Sequence, residues 1–285
     1  MVSPLVSVSV DFVYDGCMSD QEVYPNAPIV LVAVEVRHAR CEVLNSQQRS
    51  VVSSRVGSLL PLNGEVRSSD PYQSWGEAGA LGPQGTVPEA HRWASRDKRT
   101  ALTFERESVT VETTDYQNYG VLRSLVELAL RARDEASAPE GVDRIGLRYI
   151  DELRVPETVG VDIDWGSWVD PSLLGPVHLG EKELTTRGTQ GMSVFSGEDD
   201  TALVLRYGPR DGSVFLSTSE LRRPTSTPGP FFLLDMDSFW EAVPKFSRWD
   251  VETILGRIDK LHSPVRTMFE KLISDRLRNE VLRNG

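Results

Sequence analysis

Polar and apolar residues alternate most cleanly over Val142–Arg154, VDRIGLRYIDELR, which predicts a central strand. Ile145, Leu147, Tyr149 and Asp151 fall on one face, and Gly146, Arg148, Ile150 and Glu152 on the other. The first set is mostly apolar and predicts the face packed on helices. The second raises Arg148 from small and apolar neighbours, as a salt-bridge partner of an adjacent strand or as a fork for an anion. The salt bridge is the expectation, because arginines on sheets usually serve as structural partners. Upstream, Leu122, Leu125, Val126, Ala129 and Leu130 recur at helical spacing and predict a helix over Tyr119–Arg133 with Asn118 as its N-cap.

The same reading extends in both directions. Pro25–Pro28 is a rigid entry to an interior strand, Ile29–Arg37. Asn45–Leu60 reads as a helix stopped by Pro61, and Asn63–Pro88 as a long loop. Arg92–Ala94 and Ala101–Phe104 running on through Val109–Glu112 read as two strands with a turn near Arg106. Residues 24–156 thus form a β-α-β-β-α-β half, the split βαβ or ferredoxin-like order. Residues 157–285 read as a second α+β half, with strands near Leu184–Arg187, Met192–Phe195, Ala202–Tyr207, Phe215–Ser217 and Phe231–Met236. Its apolar stripes, Val251 to Leu261 and Val265 to Leu277, meet at Ser263-Pro264, which predicts an N-cap and first residue that restart the helix. The expected fold is α+β: two ferredoxin-like halves, antiparallel sheets with helices on one face of each, and a bent C-terminal helix pair. Residues 1–23 are an N-terminal extension, read as a strand or as lying upstream of an alternative start at Met18.

Composition narrows the function. The 31 Lys and Arg against 42 Asp and Glu leave a formal charge of −11, which argues against nonspecific affinity for nucleic acid or anionic lipid. Arg222-Arg223 and the Arg-rich C-terminal segment are the local basic patches. No apolar run approaches a membrane span, and two cysteines, Cys17 and Cys41, fit a reducing cytoplasmic compartment better than a disulfide framework. Motifs for known cofactors and nucleophiles are absent, so no cofactor is expected.

Eight residues carry what chemistry the sequence suggests. Asp235 and Asp237, two apart near a strand end, project from one side as a divalent-cation site requires, and Asp162 with Asp164 repeat the spacing. Solvated acids at a strand end are the default. His262, at the junction of the two C-terminal helices, is a candidate base, though a hydrogen bond to a helix end explains it more simply. Arg148, Tyr149 and Asp151 on the central strand are the binding candidates.

YPNAPIV at Tyr24–Val30, DRIGLRYID at Asp143–Asp151, LLDMD at Leu233–Asp237 and LHSPVRTMFEKLISD at Leu261–Asp275 together resemble a sporadically distributed family of uncharacterised bacterial proteins. Those proteins open on a PNAPI strand, carry an RxGLRY strand mid-chain and end on a helix with LH followed by phenylalanine. The resemblance covers most of Tyr24–Arg278, and the chain departs from it in its N-terminal extension. It implies membership and a defence, toxin–antitoxin or mobile-element setting, without an established reaction. Three functions follow in order: a non-catalytic protein-binding or accessory module; an RNA-binding or RNA-processing protein with tandem ferredoxin-like units; and a metal-dependent enzyme using the paired aspartates. Another protein is the expected partner. The sequence leaves the oligomeric state open, a homodimer being the commonest outcome at this size.

Overall fold

The computed structural model describes residues 23–66, 90–156, 163–176, 189–214, 221–223, 229–242 and 246–284. The strands predicted near residues 2–13, 184–187 and 215–217, with Cys17 and Asp162, lie outside the described residues.

Among the described residues ten strands form one antiparallel sheet, in place of the two expected. They are β1 (Ile29–His38), β2 (Leu62–Val66), β3 (Ala90–Ala94), β4 (Thr100–Phe104), β5 (Ser108–Thr113), β6 (Gly141–Leu153), β7 (Gly191–Ser196), β8 (Thr201–Asp211), β9 (Pro230–Glu241) and β10 (Ser247–Arg248). Their order is β2-β3-β4-β5-β1-β6-β9-β8-β7, with β10 on the end of β6. The later strands therefore extend the sheet of the first half, because β9 pairs along β6 from Arg144↔Glu241 to Leu153↔Phe232.

Three helices cover one face: α1 (Ser46–Val56), α2 (Tyr119–Ser137) and α3 (Val251–Leu272). Each begins where a side chain can take up a free backbone N–H. Asn45 forms a capping box with Gln48, Asn118 accepts from the Val121 N–H, and Asp250 accepts from the Thr253 N–H. Val52 and Val56 of α1, Leu122, Val126 and Leu130 of α2, and Ile254, Leu255 and Ile258 of α3 join the sheet residues Val32, Val34, Val36, Ile145 and Leu147 in one apolar core. Burying each such side chain stabilises the fold by about 1.5–3 kcal/mol.

Two local expectations are corrected. The segment read as a loop from Asn63 begins as an edge strand, β2, whose residues are mostly exposed and so carry no apolar alternation. The strand read at Arg92–Ala94 is present as β3, between β2 and β4, but the stretch read as one strand from Ala101 to Glu112 is two, β4 and β5, on either side of the turn expected near Arg106. At the C-terminus, α3 runs unbroken through Pro264. The proline lacks the N–H that would bond the Lys260 carbonyl. The buried stripe Leu261, Val265, Phe269 and Leu272 keeps its helical phase across that position, and its burial outweighs the local cost. His262 therefore sits inside one helix, not at a junction.

The segments that carry the motifs touch one another. The Tyr24 hydroxyl donates to Glu270 at 2.9 Å and accepts from the Arg278 guanidinium at 3.1 Å, and its ring meets Phe269 with centroids 6.5 Å apart. The Asn26 side chain donates to the Val281 carbonyl at 3.1 Å. The entry to β1 is thereby tied to the end of the chain.

Candidate functional site

β6 separates two polar groups of different character, one on each face. On the helix side, Tyr149, Asp151 and His262 are all buried. The Tyr149 hydroxyl lies 3.2 Å from His262 Nδ1, and the imidazole is stacked on Tyr119, parallel within 1° at 3.8 Å between centroids. The Tyr119 hydroxyl donates to Asp259 at 2.7 Å, and Arg123 Nε donates to the same carboxylate oxygen at 2.8 Å. Tyr116 packs edge-on against Tyr149. Burial, helped by the Arg266 charge, pushes the His262 pKa down to about 4, so its ring is neutral at physiological pH. Burial and the Asp259 carboxylate raise the Tyr119 hydroxyl, and burial followed by Tyr116 raises that of Tyr149. Asp151 is pushed up to about 8 by burial and by the Asp235 charge across the sheet, and among the described residues its Oδ1 has no hydrogen-bond partner. The His262 ring and the Tyr149 and Tyr119 hydroxyls are neutral groups at the junction of helix and sheet, bordered by the Asp259–Arg123 ion pair.

The other face, which carries no helix among the described residues, is built differently. Arg148 closes on both oxygens of Asp235, Nε and Nη2 each at 2.7 Å, and Arg206 Nη1 approaches the same carboxylate at 3.5 Å. The expected cross-strand salt bridge is thus present, and the fork is occupied from within the chain. Beside it, Arg144 bonds Glu35 at 3.1 Å, Asp237 at 3.4 Å and Glu241 at 3.5 Å, with its guanidinium over the Phe239 ring. Gly146 makes this possible: a Cβ there would stand 2.8 Å from Arg144 Nη1. Burial raises the Asp237 pKa while the Arg144 and Arg148 charges lower it. Farther along the face, Glu152 takes Arg154 and Arg223, and Glu112 takes Arg92.

Asp235 and Asp237 do project from one side, as their spacing predicts. They lie inside β9, which runs on to Glu241, and not at a strand end. Their carboxylates face guanidinium groups, and among the described residues no group of three or more His, Cys, Asp or Glu has metal-holding geometry. Asp164 caps a short turn by accepting from Gly166 N–H and the Ser167 hydroxyl. Three arginines of the basic patches are matched to carboxylates: Arg223 to Glu152, Arg276 to Glu280, and Arg278 to Glu270 and Asp275.

What sequence reasoning missed lies at the β7 end of this face. Met192 and Val194, 66% and 60% exposed, stand in register with Arg206 and Val204 of β8, and so continue the rows of Asp235 and Asp237. The period-two pattern of Met192 and Val194 was the available signal, but it does not reveal which face the described helices leave open. At the opposite end, Val214 and Leu221 pack over Leu31, Ile150 and Leu233 and close the face there. Among the described residues no helix is long and apolar enough to cross a membrane. Compared with models of known families and with curated proteins, the chain matches none.

Proposed function

We propose that this protein is a non-catalytic binding or accessory protein that engages another protein through the face of its sheet opposite α1, α2 and α3, at the β7 end. The observation that carries this reading is the exposed pair Met192 and Val194 beside a row of arginine–carboxylate pairs. Large apolar side chains rimmed by fixed polar groups are the composition of a protein interface. The row is held by the chain itself, so the surface needs little ordering on association.

Two features weigh against the other readings. Guanidinium groups matched to carboxylates offer little to a phosphate backbone, which disfavours RNA. Carboxylates matched to guanidinium groups leave few oxygens for a cation. The family resemblance supplies the defence, toxin–antitoxin or mobile-element setting and the sparse cysteines the cytoplasmic one, and the contact of Tyr24 with Phe269 and Glu270 gives two of the family's motifs a shared structural role. The order β4-β5-β1-β6, with α1 following β1 and α2 preceding β6, supports a ferredoxin-like reading of the first half.

The test is native mass spectrometry of the tagged chain co-expressed with its neighbouring genes. A stoichiometric second protein, lost in Met192→Asp/Val194→Asp while thermal unfolding is unchanged, is the expected result. A doubled mass sensitive to the same variant would assign the surface to self-association. A partner held undiminished by the variant would overturn the assignment of this face.

A further inference from the structure

A second feature lies away from both groups described above and does not rest on the partner reading. Between the β7–β8 hairpin, the end of β9 and the middle of α3 is a pocket of about 360 Å³, within the size range of small-ligand sites. Trp240 forms its floor, and the Arg257 guanidinium lies over the indole, 3.5 Å from the ring centroid. Stacking uses the flat face of a guanidinium and leaves its in-plane N–H groups for acceptors. On the sheet, Arg144 and Arg148 direct those groups at carboxylates. Among the described residues no hydrogen-bond or ion-pair acceptor meets those of Arg257, although the side chain is half-buried. Burial alone displaces its pKa, downward, with no counter-charge acting against it.

The rest of the lining fits an anion at that position. Lys260, one turn along α3, faces the same pocket, and its ammonium is shared with Asp199 at 3.3 Å in a pair whose two side chains are largely exposed. Such a pair is weak and opens readily. The Ser247 and Thr201 hydroxyls complete the polar wall. Asp199 and Asp200 stand in the turn between β7 and β8, and their charges confine an anion to the Arg257 side. Both have left-handed backbone, φ 53° and 59°, as the tight turn of a two-residue hairpin requires.

We propose that this pocket binds the oxyanion group of a small ligand, a phosphate or a carboxylate, with Arg257 as its fork and Lys260 as the second cation. Thermal unfolding of the full chain tests this with inorganic phosphate, pyrophosphate, acetate or succinate added to chloride buffer at matched ionic strength, which separates binding from screening. At least one oxyanion raises the midpoint of the wild type beyond chloride, and Arg257→Gln weakens its apparent affinity about tenfold or more. A response to the phosphates alone assigns a phosphoryl ligand; a response to the carboxylates alone assigns a carboxylate. No shift in the wild type, or an equal shift in Arg257→Gln, overturns the proposal. Should Arg257→Gln not fold, the Arg257 Nε–H resonance of the wild type decides, assigned by its loss in Arg257→Lys. Movement on adding the oxyanions supports the site, and a resonance that stays fixed overturns it.

Discussion

Arg148 and Asp235 meet through two parallel hydrogen bonds of 2.7 Å each, from β6 to β9, with the carboxylate buried and the guanidinium only partly so. That asymmetry orders the outcomes of substitution. Arg148→Ala leaves a buried carboxylate with Arg206 alone at 3.5 Å, and removing one partner of a buried pair costs about 3–5 kcal/mol. Asp235→Ala leaves two arginines that can turn toward water, so its cost is smaller. Urea denaturation of both variants measures the difference; a larger loss in Asp235→Ala would contradict it.

Asp151 predicts an alkaline weakness. Its pKa is 3.8 ordinarily and about 8 when folded, so the folded chain holds a proton that the unfolded chain has released. Stability from this group is therefore complete below about pH 4 and is lost as pH rises toward 8. Asp151→Asn keeps the neutral shape, and its unfolding midpoint should exceed that of the wild type at pH 8, the difference vanishing near pH 4.

His262 sets the opposite limb. Its folded pKa, about 4, lies below the ordinary 6.5, so the unfolded state binds the proton first as pH falls. Stability declines from pH 6.5 downward to about 4. His262→Gln should flatten part of that decline in a pH series of thermal melts. His38 and His91, also lowered by burial, retain the remainder.

Pro264 interrupts the hydrogen-bond ladder of α3 without ending the helix. Pro264→Ala restores a donor for the Lys260 carbonyl and removes a helix-interior penalty of up to about 3 kcal/mol. A higher denaturation midpoint is expected; an unchanged one would mean that the surrounding core already accommodates the bend.

The parts legible in the sequence are those set by local pattern. Ile145, Leu147 and Tyr149 face the helices because strand residues alternate, and Asn118 caps α2 because its side chain suits that position. The rest depends on partners distant in the chain. Asp235 lies 87 residues from Arg148, and only the β6–β9 register brings them together. Arg144 and Arg206 escaped notice for the same reason. β2 shows no period because neither of its faces is buried, and Pro264 misled because packing of Leu261, Val265 and Phe269 is invisible to a rule about prolines. Nor does either half's pattern distinguish two sheets from one.

The unbroken ladder from β1 through β6 to β9 has a consequence for how the chain is made. During synthesis β6 emerges well before β9, and until β9 is translated the longest strand of the sheet has an open edge with Arg148 unmatched. The sheet can close along β6 only once residues up to 241 have left the exit tunnel, and the contact of Tyr24 with α3 must wait longer, for Glu270.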